Sequence, residues 1–328
     1  CRLIVSRKAV DARMTAHYPR LCFVPGKGRG FGPGLVGRLL FFPALLGAVW
    51  SSWRLLREFR PSVLVCFGGF MSLAPAIACR LAGVPVLVHE ANRHPGKAVR
   101  LIARFATSVH LPTGVRLPGV AADRQHDSGY PVRAEIRPEA REAARRALGL
   151  PPAGRLVLVV GGSQGAARLN RWVEAHLADF AERGVHVLCL TGPGGREDEV
   201  RTPQSVVKFL PFCHQMAAAY SAADLAVARA GAGTLAELAT CRTPAVLIPL
   251  PSAADDHQTA NARESARTGA ALLLPEAELD RLAALVFGRL HDNAALAAMR
   301  DALALADAGN RWEALATETV ALAGGAAA

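Results

Sequence analysis

Short apolar runs, each followed by a longer amphipathic stretch rich in Ala, Leu and Arg, recur along this chain and restrict its fold more than any other feature. The runs include Val63–Cys66, Val84–Val88, Leu156–Val160, Val185–Cys189, Leu225–Ala228 and Val246–Ile248. A strand that faces solvent on one side alternates apolar and polar residues, whereas these runs, His186 apart, are apolar throughout. They fit strands buried on both faces, and their alternation with helical stretches predicts a doubly wound, parallel α/β sheet. The chain has 328 residues, more than one ordinary domain needs. A hydrophobic share of 51% with 20% charged residues excludes a disordered chain.

The stretch Arg137–Arg155 carries Pro138, Pro151, Pro152 and Gly154 around a charged helical segment and divides the strands into two sets. Two Rossmann-like domains are expected, at 1–136 and 137–309. The closing helix, within 310–328, can dock on either; the first domain is taken as its place. Arg2–Ser6 reads at once as a strand behind Cys1, with no charged and apolar leader, so the natural start is expected upstream.

Basic residues outnumber acidic ones, 38 to 27, and only four of them are lysines. The arginines are dispersed, with no basic motif interleaved with aromatics, so phosphate-bearing ligands or an anionic membrane suit the charge and nucleic acid does not. The seven cysteines form no CxxC pair, which argues against a zinc site or a disulfide framework and for a reducing cytoplasm. Asp255 and His257 have no third ligand at a recognisable spacing, so no metal is expected.

One segment, Leu35–Leu56, concentrates Leu, Phe and Trp between Arg38 and the trio Arg54, Arg57 and Arg60. Its uncharged part, Leu39–Trp53, is too short to span a bilayer, and Pro43 interrupts it. It reads either as a buried helix or as an interfacial one, with Phe41, Phe42 and Trp50 at headgroup depth.

Three strands run into glycine-rich turns that open helices: Cys66–Phe70, Gly161–Ala166 and Arg229–Thr234. Such turns bring backbone N–H groups and a helix N-terminus to an anion. Three in one chain favour a phosphate-bearing ligand, although many such glycines only permit close packing. Gly32–Gly37 matches GxGxxG but follows no strand, so it is read as accidental. Gly231–Ala236 matches GxGxxA, which admits a dinucleotide. No P-loop is present. His89–Asn92 follows a strand directly and presents polar side chains at its carboxyl end, or forms a hydrogen-bonded loop; Asp255–Asn261 follows the strand Ala245–Pro249 after a Pro/Ser-rich loop and reads as a second polar cluster, or as a solvated helix entry.

Taken together these motifs resemble the bacterial N-acetylglucosaminyltransferases that convert lipid I to lipid II (MurG type). Gly161–Ala166 with Leu169 and Asn170, Met216–Tyr220 with Asp224, Arg229–Ala232 with Thr234 and Glu237, Pro249–Pro251, Asp255–Gln258 and Asn261–Arg263 carry the likeness in one half. His89–Asn92 and Gly129–Arg133 carry it in the other. The resemblance implies a GT-B glycosyltransferase of two Rossmann-like domains facing a cleft, acting by inverting displacement. The C4 hydroxyl of undecaprenyl-pyrophosphoryl-MurNAc-pentapeptide would attack the anomeric carbon of UDP-GlcNAc, without metal or cofactor, at the cytoplasmic face of the inner membrane. Ala232, Gly233, Thr234, Leu235, Ala236 and Glu237 would contact diphosphate and ribose, with Glu237 on the ribose hydroxyls. Ser163 would reach phosphate, and the Cys213 backbone would hold uracil. Asn92 and Gln258 would bond the GlcNAc hydroxyls, and Arg133 would help bind the donor near a hinge. Another GT-B enzyme, such as a glycolipid glycosyltransferase or UDP-sugar epimerase, or a non-catalytic sugar-nucleotide-binding remnant, are the alternatives.

Departures from the family pattern are specific. The glycine-rich turn ending in His that opens the family is absent, on the order of 30 residues, so no catalytic residue is assigned. Tyr130 stands where Asn is usual, and Gly233 where a larger residue is usual.

Overall fold

The computed structural model describes residues 1–6, 18–26, 34–162 and 165–325. The chain forms two compact units. Unit 1 comprises Cys1–Ala91, Pro95–Gly129 and Arg311–Ala328, and unit 2 comprises Asn92–His94 and Tyr130–Asn310.

Among the described residues, unit 1 holds a two-stranded parallel sheet of β1 (Arg2–Val5) and β2 (Cys22–Pro25), followed by the long helix α1 (Gly34–Phe59). Its second sheet is parallel, in the order β3 (Leu64–Cys66), β4 (Val86–His89), β5 (Ser108–Pro112) and β6 (Gln125–Ser128). Helices α2 (Leu73–Leu81) and α3 (Lys97–Ala103) supply the crossovers that parallel neighbours require. Val86 and Val88 of β4, with Val109 and Leu111 of β5, form its core with Ala76, Cys79 and Ile102 of the helices.

Unit 2 begins with α4 (Arg141–Ala147), β7 (Arg155–Val160), α5 (Ala167–Ala175), α6 (Leu177–Glu182) and β8 (Val185–Leu190). There follow β9 (Asp198–Arg201), β10 (Val206–Leu210), α7 (Met216–Ala222), β11 (Leu225–Ala228) and α8 (Ala232–Thr240). It closes with β12 (Ala245–Leu247), α9 (His257–Arg267), β13 (Ala271–Leu273), α10 (Leu282–His291) and α11 (Asn293–Ala308). The strand order is β13-β12-β11-β7-β8-β10-β9, parallel except for the edge strand β9. β7 lies between β8 and β11, so the winding reverses there; ligands of open α/β sheets bind outside strand carboxyl ends at such a reversal.

The apolar runs have the expected cause. Along β7, Leu156, Leu158 and Val160 enter the core beneath α7 and α8, while Val157 and Val159 enter the core on the opposite face with Leu169 and Phe180. Helix α12 (Glu313–Gly325) belongs to unit 1, where Glu318 Oε2 accepts from Ser108 Oγ at 3.0 Å and lies 2.7 Å from His110 Nε2.

The units part at Gly129, ahead of the proline-rich stretch that the sequence suggests as a boundary at 136/137. That stretch is integral to unit 2. Ile136 lies in its core. Arg145, 1% exposed, donates to the carbonyls of Pro152 and Gly154 at 3.2 and 2.9 Å and to Asp224 at 3.1 Å. Pro and Gly imitate a linker in composition, but here their carbonyls are held by a buried guanidinium.

His186 gives unit 2 a pH dependence. Its Nδ1 accepts from Val206 N–H at 3.1 Å, so Nε2 carries the proton and donates to Ala153 O at 3.0 Å. Burial pushes its pKa below the ordinary 6.5, as it does for His89 and His110 in unit 1. Below 6.5 the unfolded chain binds protons that the folded chain does not, so stability is full above that value and falls as pH drops toward the folded pKa. Thermal melts from about pH 7.5 to about pH 5.5 should show a falling midpoint, and His186→Gln should flatten the slope. A midpoint that rises on acidification in this window contradicts the argument.

Candidate donor site in unit 2

β11 ends at Ala228, Arg229–Gly231 make the turn, and α8 begins at Ala232. Gly231 caps the helix without a side-chain hydrogen bond, and the first turn holds no acidic residue. The intrahelical ladder opens with Leu235 N–H on Gly231 O at 3.0 Å. The N–H groups of Ala232, Gly233 and Thr234 therefore lie ahead of the ladder at the positive end of the helix dipole, an arrangement that receives an anion.

Buried polar side chains hold this turn. Arg229, 7% exposed, donates to the carbonyls of Ile248 and Pro249 at 3.1 and 3.2 Å and pairs with Glu276, which also accepts from Arg168 at 3.0 Å. The strand end of β11 is thereby tied to the loop after β12. Asn261, on α9, donates through Nδ2 to Ala230 O and to Asn92 Oδ1, both at 3.1 Å, and accepts from Arg93 N–H at 2.9 Å. Asn92 is thus fixed beside the α8 turn. Gln258, in the first turn of α9, accepts Leu250 N–H on Oε1 at 2.9 Å.

Glu237 lies one turn beyond Gly233 on the same helix face. Oε1 accepts from Arg133 Nη2 at 3.1 Å, and Oε2 from the hydroxyl of Tyr220 at 2.9 Å. Tyr220 is 1% exposed; burial first, and Glu237 second, push its pKa well above the ordinary value and keep it a donor. The carboxylate is aligned from two sides and remains partly exposed.

Arg133, Glu237, Gly233, Asn92 and Gln258 therefore have defined places around the turns that follow β11 and β12. Cys213 sits after β10, buried in the core, and burial raises the pKa of its thiol. Leu235 packs partly on the same core. Ser163 lies outside the described residues. Two of the glycines around it serve packing: a Cβ on Gly161 would come 2.4 Å from Ala166 N, and one on Gly165, at φ +72°, would come 2.4 Å from Thr191 O. His89 and Glu90 form a bonded loop in unit 1, with His89 Nε2 donating to Gly129 O at 2.7 Å and Glu90 accepting Gly96 N–H at 3.0 Å. Among the described residues no three His, Cys, Asp or Glu side chains converge as a metal site would need.

Three contributors carry no role in the sequence reading: Tyr220, Arg229 and the Asn261 amide. Each lies inside a motif, but its partner comes from another element, so spacing along the chain does not disclose it.

The Glycosyltransferase family 28 N-terminal domain matches residues 3–111, and the Glycosyltransferase family 28 C-terminal domain matches residues 156–312. The UDP-N-acetylglucosamine–N-acetylmuramyl-(pentapeptide) pyrophosphoryl-undecaprenol N-acetylglucosamine transferase of Opitutus terrae is 42% identical over 318 residues, 95% of this chain and 84% of the relative. The protein of the same name from Salinibacter ruber is 39% identical over 290 residues, 82% and 78% of the two chains. Among solved structures, MurG of Acinetobacter baumannii superposes with a TM-score of 0.68 at 24% identity, covering 97% of this chain and 89% of that one. The calicheamicin glycosyltransferase CalG4 superposes with a TM-score of 0.66 at 14% identity, covering 100% and 91%. These superpositions give the fold, GT-B.

Proposed function

The chain belongs to glycosyltransferase family 28, and from that membership we infer that it is a UDP-GlcNAc-dependent N-acetylglucosaminyltransferase of peptidoglycan synthesis. It moves GlcNAc from UDP-GlcNAc to the C4 hydroxyl of undecaprenyl-pyrophosphoryl-MurNAc-pentapeptide, turning lipid I into lipid II. The observation that carries this reading is the first turn of α8, with its open N–H groups ahead of a carboxylate aligned by Tyr220 and Arg133.

In this reading unit 2 binds the donor and unit 1 serves the acceptor and the membrane. The diphosphate rests on the N–H groups of Ala232–Thr234, and Ser163 reaches a phosphate. Glu237 accepts from both ribose hydroxyls while Arg133 balances its charge. Cys213 offers main-chain groups to uracil. The neutral amides of Asn92 and Gln258 bond sugar hydroxyls; with Gln258 Oε1 already taken by Leu250, its Nε2 is the group that meets the sugar. As the anomeric bond breaks, negative charge grows on the leaving diphosphate, and preorganised N–H donors stabilise it without reorganisation. The base that takes the acceptor proton is unassigned.

The test is transfer itself. Labelled UDP-GlcNAc with lipid I in vesicles should give labelled lipid II and one UDP per sugar moved. Binding of UDP-GlcNAc without transfer would leave only a sugar-nucleotide-binding module and overturn the reading.

The acceptor is a membrane lipid, and unit 1 supports a peripheral seat on the cytoplasmic face of the plasma membrane. Helix α1 runs unbroken through Pro43. Phe42, Leu46 and Trp50, spaced one turn apart, are 64, 71 and 65% exposed, and Arg54 and Arg57 continue the exposed face. Phe41, which the interfacial alternative puts at headgroup depth, is instead 5% exposed and packs in the core. No helix of the described residues is long and apolar enough to cross a membrane. Apolar side chains inserted to headgroup depth with arginines on anionic lipid account for this face. Nucleic acid has no part in this reading. Replacing Phe42, Leu46 and Trp50 together by Ser should cut binding to anionic vesicles at least ~100-fold, at roughly 1.5 kcal/mol or more for each buried side chain, with the melting temperature unchanged. Retained vesicle binding contradicts the assignment.

A further inference from the structure

We propose that Tyr130 and Gly233 are one size-matched pair, and that the Tyr130 hydroxyl donates to a phosphate of the nucleotide seated on the first turn of α8. The proposal rests on the reading of unit 2 as the sugar-nucleotide domain.

The main chain of Tyr130 is clamped from both sides by one side chain. Its N–H donates to Asn310 Oδ1 at 2.7 Å, and its carbonyl accepts from Asn310 Nδ2 at 3.1 Å. The clamp sets the phenol over Gly233: a Cβ built there would stand 3.1 Å from the hydroxyl oxygen and 3.3 Å from the ring carbon that bears it. Gly233 sits within helix α8 and has no positive φ, so backbone conformation does not call for glycine. Glycine in a helix costs about 1 kcal/mol relative to alanine. What it supplies here is room for the ring.

The phenol is half-buried, yet its hydroxyl forms no hydrogen bond with a described residue. The nearby carboxylate, Glu237, accepts from Tyr220 and Arg133 and not from this hydroxyl. The Tyr130 hydroxyl thus lies against the first turn of α8, which presents the N–H groups of Ala232–Thr234. Burial, and then Glu237, raise its pKa and keep it protonated. A phosphate oxygen held by the α8 N–H groups is an acceptor of the kind this position lacks.

Calorimetry with UDP on the full chain tests the pair. Tyr130→Phe keeps the ring and removes only the donor; affinity for UDP should fall about 10-fold, the size of one hydrogen bond to a charged group. The phosphorus-31 resonances of bound UDP should move. Gly233→Ala should weaken UDP binding by a similar factor with Tyr130 present, and by less than about twofold in a Tyr130→Ala background. Unchanged affinity in Tyr130→Phe, unmoved phosphorus resonances despite lost affinity, or an additive cycle would each overturn the proposal. Failure of the unmodified chain to bind UDP at all would instead overturn the reading of unit 2. Melting curves confirm that the variants fold.

Discussion

Glu237→Gln is expected to lower kcat/KM for UDP-GlcNAc by about 100-fold while unit 2 stays folded. The carboxylate is the one acidic group on α8, and it follows the first turn by a single helical turn. In the proposed reading it accepts, as an anion, from two ribose hydroxyls; as an amide it would keep one acceptor oxygen and present donors where the hydroxyls also donate. Hydrogen bonds to a charged group contribute about 1.5–3 kcal/mol, which converts to roughly 10- to 150-fold. Gln still offers an oxygen to the buried Tyr220 hydroxyl, so stability holds. Glu237→Ala does not: it strands that hydroxyl, and a loss of about 1–3 kcal/mol should accompany the loss of activity. Steady-state kinetics beside denaturant unfolding separates the two effects. Equal kcat/KM for Glu237→Gln and the unmodified chain would remove Glu237 from the donor site.

Asp224→Asn is expected to be the most damaging substitution for stability, at about 3–5 kcal/mol. Asp224 is fully buried and accepts from Arg141 at 2.7 Å, Arg155 at 3.0 Å, Arg145 at 3.1 Å and Leu156 N–H at 2.9 Å. Arg145 is itself buried, and burial depresses its pKa, which Asp224 opposes. An Asn keeps the shape but removes the charge that balances a buried guanidinium, and its amide N–H groups face donors. The network ties α4 and the start of β7 to the start of β11, so its loss loosens the sheet on which the α8 turn is built. Urea unfolding should show the lower midpoint; a shift below about 1 kcal/mol would mean that solvent already screens the cluster.

The parallel core was legible because β4, β7, β8, β11 and β12 are apolar on both faces and stand out as runs. Strands with polar composition did not. β6 reads Gln-His-Asp-Ser and β9 Asp-Glu-Val-Arg, and both are sheet edges. In β5, Ser108 and His110 are buried because Glu318 meets them from α12, more than 200 residues away. The α8 turn was legible as strand, glycine and helix in succession. The alignment of Glu237 was not, because Tyr220 and Arg133 arrive from other elements. Tyr130 and Gly233 read as two separate departures from a family pattern, and only folding brings the phenol over the glycine. On α1, hydrophobicity marks Phe41 and Phe42 alike, and helix rotation buries one and exposes the other.

The most direct test of the donor site is a crystal structure of the chain with UDP-GlcNAc. The diphosphate should lie within hydrogen-bonding distance of the main-chain nitrogens of Ala232–Thr234, with the ribose hydroxyls on Glu237. Nucleotide density elsewhere, with the first turn of α8 free of phosphate, would contradict the account.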